Sequence, residues 1–151
     1  MDRLNIELFK KVRERIATVP ASYNQENWIL ESDAAPCGYA ACLAGETIIC
    51  AAPTVQDGIA ELNQMMQNRI TADGRISGKA AKLLGLKGSW VAFCNSKDPR
   101  DGGETLIFDP DVRFWPADLK EQFRDGETHD AALALLDRII AEQEVPVDYG
   151  D

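Results

Sequence analysis

The chain holds a single histidine, His129, among 151 residues. It therefore offers one imidazole for acid–base chemistry. It lacks a Gly-rich phosphate loop, an HExxH helix and a Gly-x-Ser-x-Gly elbow, which removes the nucleotide, metalloprotease and serine-hydrolase readings those motifs carry. Cys-x-x-Cys is also missing. No apolar run approaches the roughly 20 residues a membrane span needs; the longest, near Ala40 to Ala52, is broken by Gly45, Glu46 and Thr47. Positive charge is scarce: 16 Lys and Arg stand against 25 Asp and Glu, a net charge of −9. Such a surface repels phosphate backbones and anionic lipid, so neither nucleic acid nor a membrane is an expected partner. The densest basic stretch, Lys10-Lys11-Val12-Arg13-Glu14-Arg15, is interrupted by an acid and reads as the solvated face of a helix.

What remains is a globular composition, 45% hydrophobic and 27% charged, in a chain of a size that buries a full core without staples. The first residues, Met1 to Glu7, carry acids and no apolar run, unlike a signal peptide. The expected compartment is the cytoplasm, with the four cysteines reduced.

Ile6, Phe9, Val12 and Ile16 recur three or four apart, predicting a helix from Asn5, its cap, to Val19 before Pro20. The small and apolar residues from Gly38 to Ala52 predict a buried central helix ending near Pro53. Thr54 caps a further helix with Ile59, Leu62, Met65, Met66 and Ile70 as its stripe. Asp73-Gly74 reads as a turn, and Ser77 to Gly85 as a short helix. Trp115-Pro116 opens another helix, and Thr128 to Glu144 forms the last one. The tail from Val145 is expected to fray. Between these lies Ser89 to Cys94, a run too short for periodicity to separate strand from helix end. With Thr105 to Phe108 it would make a small hairpin near residues 90–108. The reading is mainly α: one compact domain, residues 1–151, of about five or six helices.

The segment Pro36-Cys37-Gly38-Tyr39-Ala40-Ala41-Cys42-Leu43-Ala44-Gly45-Glu46 carries the most distinctive pattern. It resembles the C-G-[ST]-x-x-C-[IL]-A-G-[WH] signature of a group of small uncharacterised bacterial and phage proteins. Asn27-Trp28 ahead of it, the run Ala80 to Leu86 and the Phe114-Trp115-Pro116 element extend the likeness over most of residues 25 to 125. Tyr39 departs from the usual Ser or Thr, and Glu46 from the usual Trp or His. The resemblance implies a compact helical fold and carries no activity.

Cys37, after a proline and before the expected helix, is the candidate nucleophile, because the positive end of a helix dipole favours a thiolate. His129 is the candidate base, with Asp130, Glu127 or Asp137 to orient it and Asn95 or Gln25 as oxyanion donors. On a helix, Cys37 and Cys42 would be separated by a rotation of about 500° and would point to different faces. Paired cysteines two to four apart, which a thiolate zinc site uses, are not present, so no metal or cofactor is expected. Asp98, Asp101, Glu104, Asp109 and Asp111 cluster in a stretch that reads as a solvated loop. Trp28, Phe114 and Trp115 are the candidate partner-facing aromatics. Two functions follow. The favoured one is a non-enzymatic interaction or accessory module that binds a protein partner or itself. The alternative is a thiol enzyme or redox sensor built on Cys37 and His129.

Overall fold

The computed structural model describes residues 3–96 and 98–150. Eight α-helices are present among them, more than the sequence suggests, with one two-stranded antiparallel sheet. The extra helices are short pieces that lack a readable period.

The first helix, α1 (Ile6–Thr18), forms as its pattern predicts. The Asn5 side chain accepts from the Leu8 N–H, and Leu8, Phe9, Val12 and Ile16 are buried. The chain then runs through a 3-10 turn (Pro20–Ser22) to β1 (Leu30–Glu31), which pairs with β2 (Tyr39–Ala40). The loop between the strands turns at Gly38, whose φ of 85° suits a residue without a Cβ.

The central helix is shorter than expected: α2 spans Leu43–Ala51, not Gly38 to Ala52. The pairing of Tyr39 and Ala40 with β1 takes the hydrogen bonds that a longer helix would need. All seven residues from Leu43 to Ile49 are buried. A Cβ on Gly45 would lie 2.1 Å from the Trp28 carbonyl oxygen, so this glycine lets the 27–28 segment lie directly on the helix. Four elements pack around α2: α1, α3 (Val55–Met66), α4 (Arg69–Leu84) and the 3-10 segment Gly103–Phe108.

The expected turn at Asp73-Gly74 does not form, because α4 runs through it. Asn68 caps this helix by accepting from the Ile70 N–H, and Ile70 itself is 95% exposed rather than part of a stripe. A Cβ on Gly74 would press on Val91 Cγ2 at 2.9 Å, so the glycine serves helix contact.

The hairpin near 90–108 is likewise absent. Trp90–Ser96 is α5, Pro99–Gly102 is α6, and Gly103–Phe108 is a 3-10 helix. Local caps decide this: Ser89 Oγ accepts from the Ala92 N–H, and Asp98 accepts from the Arg100 N–H with Pro99 at the first helical position. Trp90 and Phe93, three apart, then share one buried face.

The last helices are α7 (Ala117–Arg124) and α8 (Thr128–Glu142), and α8 packs on both α1 and α7. The tail is not frayed. Val145 is buried, Val147 and Tyr149 pack on aromatic residues, and the Asp148 N–H donates to the Phe114 carbonyl at 2.8 Å. No helix among the described residues is long and apolar enough to cross a membrane.

Candidate functional site

A small aromatic cluster, separate from the main core, is built from Trp90, Phe93, Leu106 and Phe114. On its outer side opens a cleft of about 490 Å³ walled by Trp90, Phe93 and Cys94 of α5, by Pro99, and by Arg113 and Phe114. The Arg113 guanidinium lies 5.2 Å from the Phe114 ring centre and 5.9 Å from that of Phe93, within cation–π range.

Arg113 is held there by a clamp. Asp109 is 1% exposed, and its carboxylate accepts from the Arg113 backbone N–H at 2.9 Å and from Nε and Nη2 at 3.0 Å. These bonds to Asp109 raise the Arg113 pKa further. Between the two residues the backbone is strained. Val112 is fully buried at φ 51°, a left-handed conformation that a β-branched residue rarely takes. Strain of this kind costs about 1–3 kcal/mol and concentrates where a side chain must be aimed. Gln25 holds the segment from beneath, donating to the carbonyls of Ile107 and Asp109 at 3.3 and 3.1 Å.

Trp90 also borders a second cleft, of about 160 Å³, opposite Trp28. There the Trp28 indole N–H donates to Asp73 at 2.6 Å. Of the three expected partner-facing aromatics, Phe114 and Trp28 line clefts. Trp115 does not: it is fully buried, and its indole N–H donates to the Ile107 carbonyl at 3.0 Å. A large ring whose one polar atom has an internal acceptor belongs to the core.

The second group of interest surrounds Cys37. This residue is not at a helix N-terminus; it lies in the turn before β2, and Cys42 is the N-cap of α2. No hydrogen bond joins Cys37 to His129. The His129 Nε2 pairs with the Pro20 carbonyl, its Nδ1 with Thr128 Oγ1, and its ring packs on Tyr23. Cys37 is half-buried, donates to the Tyr39 carbonyl at 3.2 Å, and accepts from Arg15 Nη2 at 3.4 Å. Arg15 Nε donates in turn to Glu46 Oε2 at 2.7 Å. Glu46 is fully buried, and its Oε1 has no partner. Burial pushes its carboxyl up to about 7, against the opposing pull of Arg15. Burial also pushes Cys42 and Cys50 up to about 12, so both stay thiols.

Asp98, Asp101 and Asp111 of the acidic stretch are exposed as expected, but the stretch is not simply a solvated loop. Asp98 caps α6, Glu104 pairs with Arg3, and Asp109 is the buried clamp. Among the described residues no group of three or more His, Cys, Asp or Glu is placed to hold a metal ion.

Sequence reasoning reaches the aromatics and Cys37, reads Asp109 as part of a solvated loop and Arg15 as part of a solvated helix face, and misses Arg113. The spacing of Asp109 and Arg113, four apart, is a local signal for an ion pair. Arg15 and Glu46 lie 31 positions apart, and nothing local joins them. No family model, curated protein or solved structure matches this chain.

Proposed function

We propose that the protein is a non-enzymatic interaction module that holds a partner protein in the cleft between α5 and Arg113. The observation that carries this reading is the strained, clamped placement of Arg113 over Phe93 and Phe114 at the mouth of an open cleft. Aromatic and arginine side chains fixed in a concavity are the groups that dominate protein–protein affinity. Fixing them in advance lowers the ordering cost of association. The acidic surface and the missing His129–Cys37 contact weigh in the same direction.

The reading is tested by selecting displayed peptides on the native protein and measuring their affinity through tryptophan fluorescence. Cys94, exposed on the cleft wall, gives the control: a bulky maleimide attached there blocks the cleft without any mutation. Selected ligands are expected to lose at least about tenfold in affinity on this modification. Ligands that bind the blocked protein as well as the free one would remove the cleft as the partner site.

A further inference from the structure

Where α1, α2 and the loop before β2 meet, one guanidinium faces two groups able to carry negative charge. Arg15 reaches the Glu46 carboxylate through Nε and the Cys37 sulfur through Nη2, at 2.7 and 3.4 Å. The place is secluded: the side chains of Arg15 and Glu46 are 12% and 0% exposed. Ser22 Oγ lies 3.4 Å from the same carboxylate oxygen that Arg15 holds, while the other oxygen, also buried, is left without a partner. An orphaned buried carboxylate oxygen costs stability, so a wholly structural ion pair would not be expected to leave one.

We infer that Cys37 is a modification site, oxidised by hydrogen peroxide to a sulfenic acid, with Arg15 as its positioning residue and Glu46 as the competitor for the Arg15 charge. In this step the Cys37 thiol gives its proton to solvent and the sulfur attacks one peroxide oxygen. An S–O bond forms and the O–O bond breaks. The sulfur loses two electrons, the peroxide gains them, and the departing hydroxide takes a proton from solvent to become water. A guanidinium beside the sulfur stabilises the charge growing on the leaving oxygen.

Three observations narrow the reagent and the residue. Cys37 is half-buried beside a largely covered arginine, which admits a molecule as small as hydrogen peroxide and disfavours larger oxidants. Cys42 and Cys50 have no arginine donor, and burial keeps them protonated. Cys94 is exposed but has no hydrogen-bonding cation, and burial and the nearby Asp73 push its thiol up, so it serves as an unactivated internal reference. The site shares no residue with the cleft, and it stands or falls independently of the interaction reading.

The experiment treats the native protein with dilute hydrogen peroxide at neutral pH in the presence of dimedone. Adducts at each cysteine are then followed by peptide mass spectrometry. The expected result is trapping at Cys37 about tenfold faster than at Cys94. Arg15→Lys keeps the charge but loses the fork that spans both partners, and is expected to slow Cys37 severalfold. Glu46→Gln removes the competing carboxylate, leaves the Arg15 charge to the sulfur and the leaving oxygen, and is expected to speed it. A structural role for the network would not produce that opposite pair of responses. The inference is overturned if Cys37 in the folded wild type reacts no faster than Cys94. It is also overturned if Arg15→Lys leaves the Cys37 rate unchanged, or if a folded Glu46→Gln slows it. Should Glu46→Gln fail to fold, the wild-type comparison and Arg15→Lys decide.

Discussion

Glu46 is a carboxyl that the fold prefers neutral. Its pKa rises from 4.5 in the unfolded chain to about 7 in the folded one. Below pH 4.5 both states carry the proton and nothing is lost. As pH rises the unfolded state gives up its proton first, so stability falls until the folded state ionises near pH 7. The full swing is on the order of 3 kcal/mol. The groups facing it are Arg15 on α1, Ser22 and Tyr23 after it, Cys42 at the N-cap of α2 and Cys50 on α2. Urea denaturation between pH 4.5 and 7.5 should show the wild type losing stability relative to Glu46→Gln; parallel curves would mean that Glu46 stays ionised throughout. At this scale the sequence was legible only in part. The Cys37–Glu46 motif draws attention by composition, but the arginine that joins its two ends comes from another helix. Trp115 misleads because a tryptophan beside a proline looks the same in sequence whether it faces solvent or, as here, the Ile107 carbonyl.

Among the helices, two glycines oppose each other in their effect. On helix propensity alone, alanine is favoured over glycine by about 1 kcal/mol in either place. In α4, a Cβ on exposed Gly78 meets nothing within 4 Å, so Gly78→Ala should raise stability by about 0.5–1 kcal/mol. In α2, a Cβ on Gly45 would press into the Trp28 carbonyl oxygen at 2.1 Å and the Ala41 Cβ at 2.7 Å. Gly45→Ala should therefore lower stability by more than about 2 kcal/mol, despite the better propensity. Thermal melts of the two variants, moving in opposite directions, check the pair. The long amphipathic helices α1, α3 and α8 were legible because each repeats its apolar face several times. Residues 90–108 were not. Each piece there is a turn or two long, and the choice between helix and strand falls to single caps such as Ser89 and Asp98. The start of α2 was misplaced for a different reason: small apolar residues suit a buried strand and a buried helix equally.

Across the whole molecule, the main core and the aromatic cluster are joined from outside by the segment after α8. Val145 is buried, Val147 touches both groups, and Tyr149 covers the aromatics. Deleting residues 145–151 should cost about 2 kcal/mol and uncover Phe114 and Trp90. A red shift in tryptophan emission with a lower melting temperature is the expected outcome. An unchanged melt would mean that the segment contributes nothing to the fold. Composition alone read these residues as a fraying end, because a Pro-containing, acidic stretch has no period to declare where it docks.

The way this segment is held has a mechanical consequence. Its contacts with the aromatic cluster run in series along a segment without regular secondary structure, fastened by one backbone bond at Asp148 and by side chains at Val147 and Tyr149. A load drawn through that end meets them one at a time, as tape lifts from a surface, while the helices behind share their contacts in parallel. Pulling from this side should therefore release about 2 nm of chain at low force before any helix yields.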